Sequence, residues 1–174
     1  MVCLSLTPRH RTARRRWAAE HRDWEQHDTS QVRFTNESRF SLECDTRRVP
    51  VWRERDTRNN PAFVRERPQY RRAGWMVWDG ISIGGRTDLH IIRNGTLTAR
   101  MNADELLRLY VIPYAAAIGD SFVFQHDNAR LHTAHLVEKM LEAETMQRME
   151  WPACSTDLNP IEHVWDMLGR RIAA

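Results

Sequence analysis

The sequence is poor in the features that staple, anchor or export a chain. Its three cysteines, Cys3, Cys44 and Cys154, are odd in number and far apart. That excludes a disulfide framework and a cysteine-built zinc knuckle, and it fits free thiols in a reducing compartment. No apolar stretch approaches the ~20 residues that a membrane-spanning helix needs. No apolar run followed by a small-residue cleavage site opens the chain, so no secretory signal is expected. Internal repeats and low-complexity tracts are missing too. Lysine is almost absent, with Lys139 alone beside 25 arginines.

What is present is enough for a packed core. The 174 residues are 41% hydrophobic, which suits one domain, or one domain with a short extension, and excludes wholesale disorder. Charge is divided along the chain. Residues 1–72 hold 17 arginines against 10 carboxylates, net +7; residues 73–174 are net −4. An arginine-rich half joined to an acidic half suggests a phosphate-binding surface beside a site that gathers carboxylates; a solvated basic face reads equally well from charge alone.

Residues 9–28 read as a basic helix, with Trp17, Ala18, His21 and Trp24 on one stripe. Residues 31–42 alternate as a strand, and a second short strand is expected at Arg48–Arg53. Residues 54–72, with Pro61 and Pro68, read as a loop. Trp75–Ile83 is rich in strand formers, Gly84-Gly85 turns the chain, and Asp88–Ile92 is the expected hairpin partner. A capping-box pattern at Asn102 to Glu105 predicts the start of a helix that Pro113 kinks or restarts. Ser121–Asp127 reads as a strand ending in a carboxylate, residues 133–144 as an amphipathic helix, and Met146–Trp151 as one more strand. Asn159 and Pro160 suit the N-cap and first turn of a last helix whose Ile161, Val164, Trp165 and Leu168 face the core. Strands first, then alternating helix and strand, make an α/β layered domain.

Two acids stand out. Asp127 closes an apolar strand, where open α/β sheets place their sites. Glu162 sits in the first turn of the last helix, where the dipole favours a carboxylate. Such residues can converge on Mg²⁺, a hard ion that takes oxygen ligands. Equally, Asp127 can be a strand-end cap and Glu162 a dipole-complementing residue.

Four blocks carry a resemblance: Phe34-Thr-Asn-Glu-Ser-Arg-Phe-Ser-Leu42, Met76-Val-Trp-Asp-Gly-Ile-Ser82, Phe124-Gln-His-Asp-Asn-Ala-Arg130 with His132-Thr-Ala134, and Trp151-Pro-Ala-Cys-Ser-Thr-Asp-Leu-Asn-Pro-Ile-Glu-His-Val-Trp165. Together they resemble the catalytic domain of Tc-one/mariner-type DNA transposases, in order, from about Arg9 to Arg171. The 34 residues between Asp127 and Glu162 match that family's spacing of its second and third catalytic acids. The resemblance implies an RNase H-like mixed sheet flanked by helices, and a three-carboxylate site for two Mg²⁺ ions, with Mn²⁺ as substitute. It implies cut-and-paste cleavage and strand transfer on double-stranded DNA, both transposon ends and target. It also implies a nuclear location, and action on two DNA ends suggests a homodimer. Arg14, Arg15, Arg16, Arg39, Arg130 and His132 are the candidate DNA contacts. Residues 1–28 read as a basic helical remnant of a DNA-binding region, and residues 29–174 as the catalytic domain.

The sequence departs from that pattern where it matters most. Asn36 holds the position of the first catalytic aspartate, so the triad becomes Asn36, Asp127 and Glu162. An amide keeps a carbonyl oxygen but lacks the charge that holds two dications together, a contact worth ~4 kcal/mol per charge pair at 4 Å and an effective dielectric near 20. Glu37 is a poor stand-in, because successive strand residues point to opposite faces. Asp79 stands where the family has glycine and is expected to be strained. Leu131 and Thr156 replace prolines. A transposase with weakened or lost cleavage is the expectation; a non-catalytic DNA-binding or dimerising module derived from one is the alternative.

Overall fold

A computed structural model describes residues 6–41, 74–93 and 96–172. The strand expected at Arg48–Arg53 and the loop at 54–72 lie outside the described residues. Within them, a mixed sheet of six strands forms: β1 (Val32–Ser41), β2 (Gly74–Ser82), β3 (Gly85–Arg86), β4 (His90–Ile92), β5 (Val123–Gln125) and β6 (Gln147–Arg148). Their order is β3-β2-β1-β5-β6, with β4 also on the outer edge of β2. β1 pairs antiparallel with β2 and parallel with β5, which pairs parallel with β6.

Period-two alternation gives this sheet two apolar faces. On one face Trp78 and Phe124 meet Leu106, Leu107, Val111, Val137 and Leu141. Those residues come from a helical run, α3 (Ala99–Met101), a π-helical stretch (Asn102–Val111) and α4 (Ile112–Ile118), and from α5 (His135–Ala143). On the other face Val77 and Phe40 meet Ile161 and Trp165 of α6 (Ile161–Ile172). Beside them Val32 and Phe34 pack with Met149 and Trp151 and with Trp17 of α1 (Pro8–Glu20).

Two local expectations need correction. The N-terminal helix stops at Glu20: His21 stacks on Trp17, Trp24 tilts against His21, and the chain turns into a short α2 (Gln26–Gln31). The helix expected to open at Asn102 begins one turn earlier, where the Thr98 hydroxyl accepts from the Met101 N–H at 3.2 Å. Pro113, which has no N–H to donate, lies in the first turn of α4, where the π-helical stretch gives way to α, in line with the expected restart. Trp75, which opens the apolar run of β2, is 52% exposed and lies outside the cluster under α6.

Gly80 lets Arg33 cross the sheet. The Arg33 guanidinium is buried, lies 3.4 Å over the Tyr114 ring and donates to the Gly80 carbonyl at 2.9 Å. Burial pulls its pKa down to about 10. A Cβ at Gly80 would lie 3.0 Å from Arg33 Cδ and 3.2 Å from Thr35 Cγ2. Gly80→Ala is therefore expected to lower unfolding free energy by ~1–3 kcal/mol in urea titration. An unchanged midpoint would mean that Arg33 can shift aside freely.

Candidate active site

β1 runs through the middle of the sheet and presents Asn36 towards α6. Asn36 Nδ2 donates to Glu162 Oε1 at 2.5 Å, and its Oδ1 accepts from the Glu37 N–H at 2.8 Å. An ionised carboxylate can only accept, so the amide must turn its nitrogen to Glu162. Glu162 lies in the first turn of α6. Burial raises its pKa, opposed by the Asn36 hydrogen bond and by His163.

A polar seam fixes that helix start. Asn159 Nδ2 donates to the Thr35 carbonyl at 3.1 Å and to Gln125 Oε1 at 3.2 Å, while its Oδ1 accepts from the Ile161 N–H at 3.2 Å. Gln125 Oε1 also accepts from the Thr35 N–H at 3.1 Å. Asn159 was legible only as a cap, and Gln125 carried no signal beyond its place in an apolar strand.

Asp127 lies two residues beyond β5. Its Oδ1 accepts from the Ala129 N–H at 2.9 Å. His132 Nε2 stands 3.4 Å from Asp127 Oδ1 and 3.5 Å from Glu37 Oε1. Glu37 thus leaves Asn36's face, as strand alternation requires, yet meets Asp127 through His132. Its Oε1 is buried without a hydrogen-bond partner. His126 packs against Phe124 and His132, and burial, with help from His132, lowers its pKa to about 4.

The structure therefore makes two groupings, Asn36 with Glu162 and Asp127 with His132 and Glu37. Among the described residues no three His, Cys, Asp or Glu side chains stand so that they could hold a metal ion. Asn36 turns its N–H towards Glu162 and commits its oxygen to the backbone. As they stand, these residues do not fit a three-carboxylate, two-metal site.

Asp79 is paired directly with Asn36 in the β1–β2 register, so the two side chains share a face. The expected strain is absent. Asp79 is buried, and its Oδ1 accepts from the Thr87 hydroxyl at 2.6 Å and from the Gly80 N–H at 2.7 Å.

The expected phosphate contacts separate. Arg15, Arg39 and Arg130 are exposed, and exposed Arg16 pairs with Glu20 at 2.7 Å. His132 is buried and faces the two carboxylates, so a direct phosphate contact does not suit it. Arg14 is half-buried and its guanidinium is engaged by Asp157 through two 2.6 Å bonds.

The DDE superfamily endonuclease family model matches residues 31–174. The Tcb2 transposase of Caenorhabditis briggsae is 28% identical over 97% of this chain and 61% of its own length. The Tcb1 transposase of the same organism is 31% identical over 94% of this chain and 60% of its own length. The chain thus spans about three fifths of those curated relatives. A Mos1 transposase paired-end complex with the left transposon end superposes with a TM-score of 0.69 at 19% identity, covering 99% of this chain and 51% of that one. The Mos1 catalytic domain with raltegravir and Mg superposes with a TM-score of 0.61 at 17% identity, covering 98% and 76%. These likenesses show the RNase H-like fold.

Two outcomes are expected. Asn36→Asp, in EDTA, should lose about 2–4 kcal/mol in urea titration, because a carboxylate replaces the donor to Glu162 and faces Asp79. Asp79→Asn in the same chain should recover part of that loss; strictly additive effects would separate the two positions. For His126, the unfolded chain takes up a proton below about pH 6.5 that the folded chain refuses until about pH 4, so stability should fall across that window by up to about 3 kcal/mol. Glu162 acts with opposite sign, its raised pKa withdrawing stability as pH climbs above 4.5. Urea midpoints at pH 7, 5.5 and 4.5 should drop less in His126→Gln; an equal drop would exclude His126 as the source.

Proposed function

The chain belongs to the DDE superfamily endonucleases of the Tc1/mariner transposase type, and we propose that it retains the DNA-handling part of that lineage while its cleavage chemistry is lost or severely weakened. One observation carries this reading: Asn36 stands at the first acidic position and closes on Glu162 by a hydrogen bond at 2.5 Å. Asp127 and Glu162 supply oxygen donors of the right hardness for Mg²⁺ or Mn²⁺, but the third charge is missing from position 36. Divalent-ion binding is accordingly weak in this reading, and no hydrolytic step is assigned.

The proposed partner is double-stranded DNA, transposon ends and target alike, acted on in the nucleus by a homodimer. Residues 29–174 are the catalytic unit and residues 1–28 the end of the preceding DNA-binding region. Exposed Arg15, Arg39 and Arg130 are the proposed phosphate contacts, joined by Arg9, Arg11 and Arg22 on and just after α1. Phosphate contacts of this kind position a protein without reading sequence. The second reading, a non-catalytic DNA-binding or dimerising module, rests on the same Asn36 and differs in requiring no residual cleavage at all.

Plasmid nicking in Mg²⁺ and then Mn²⁺ separates these readings. The unaltered chain should nick at background, while Asn36→Asp should nick at least about tenfold faster, as ~1.4 kcal/mol of regained transition-state stabilisation would give. Nicking by the unaltered chain at the rate of Asn36→Asp would overturn the proposal. Gel shifts on duplex DNA should show affinity falling steeply between 50 and 200 mM salt, by a factor on the order of 10²–10³ for four to six phosphate contacts. A salt-independent shift would remove the arginines from the account.

A further inference from the structure

We propose that α1 is a brace for the segment that carries both candidate acids, with Arg14 as its positioning residue. The inference deepens the proposed function and rests on it for the identity of the acids and of DNA.

Residues 150–159 lie between α1 and the site. On the α1 side, Arg14 Nη1 and Nη2 donate to the two carboxylate oxygens of Asp157 at 2.6 Å each, and Nη1 also donates to the Cys154 carbonyl at 3.0 Å. Trp17 Nε1 donates to the Glu150 carbonyl at 2.8 Å, and its ring meets Trp151 edge-on at 5.0 Å between centroids. On the site side, Asn128, next to Asp127, donates through Nδ2 to the Trp151 carbonyl at 2.7 Å. Asn159, three residues before Glu162, joins β1 and β5 through the seam already described. One segment therefore touches the neighbour of Asp127 and leads directly into the helix of Glu162.

The segment's own hydrogen bonds join only residues 153–159. Cys154 has a φ of 57°, a left-handed conformation that a non-glycine residue rarely adopts. Arg14 grips the carbonyl of this residue and the carboxylate three positions later. A bidentate guanidinium–carboxylate pair fixes orientation as well as distance, which a lysine in the same place could not do. The Asp157 hydrogen bond raises the Arg14 pKa and lowers that of Asp157, so both stay charged. Arg11 and Arg15 project from the same helix into solvent. Phosphate held on that outer face would steady the helix whose inner face steadies residues 150–159.

Amide hydrogen exchange on the full chain tests this. Arg14→Gln and Asp157→Asn should each speed exchange at residues 150–163 and 126–131 by about fivefold or more, while core amides of α5 keep their rates. Arg14→Asp combined with Asp157→Arg should restore part of the protection. Unchanged exchange at 159–163, or an equal speed-up throughout α5, would overturn the brace, the second by showing general destabilisation. A 20-base-pair duplex of arbitrary sequence is the second probe. It should slow exchange at 150–163 in the unaltered chain and not in Arg14→Gln; equal slowing in both would overturn the link to DNA. A duplex that fails to bind the unaltered chain would overturn the DNA-handling reading, and the brace would still stand or fall on the first set of variants.

Discussion

Asn159 is the joint on which the rest of the site depends. It sits buried where β1, β5 and α6 meet, and its amide serves all three. These bonds help to satisfy buried polar groups of the sheet and helix, which are expensive to leave unpaired in a low-dielectric interior. Because the seam sets where α6 begins, it also sets where Glu162 stands relative to Asn36. The apolar contacts of Ile161 and Trp165 with Val77 and Phe40 supply the burial that holds α6 down, while the seam supplies its register.

Charge distribution at the site follows from one exchange. A carboxylate at position 36 would face Glu162 and need a cation between them. The amide needs none, because it donates to Glu162 and accepts from its own strand. On the neighbouring strand Asp79, directly across from Asn36, is likewise hydrogen-bonded locally, by a hydroxyl and a backbone N–H. Such a centre can stand without a metal, since every close contact between Asn36 and Glu162 is already a hydrogen bond. In the proposed reading the fold of the lineage persists without the electrostatic demand that a third carboxylate would make on the sheet.

Much of this was legible in the residues. The alternation of Val32 and Phe34, the apolar run from Trp75, and the stripe Ile161, Val164, Trp165, Leu168 place β1, β2 and α6 because hydrophobic period reports burial directly. The hairpin from β2 to β4 followed from Gly84-Gly85. What was not legible depended on partners distant in sequence. Thr98 caps the helix, and Asn102 lies buried one turn further on. Trp75 is as apolar as Trp78, but only the fold decides which one α6 and the helical run cover. Arg14 looked like its neighbours Arg15 and Arg16 until Asp157, 143 residues away, claimed it. His132 read as a candidate DNA contact because nothing local shows that Glu37 and Asp127 flank it.

The central claim is that Asn36 has traded a metal-holding charge for a hydrogen bond. Calorimetric titration of Mn²⁺ into the unaltered chain and into Asn36→Asp reads that claim without any requirement for DNA or turnover. The account predicts at least about tenfold tighter Mn²⁺ binding by Asn36→Asp, a difference of ~1.4 kcal/mol. Equal affinity in the two chains would contradict it, and would mean that the divalent ion is held without the residue at position 36.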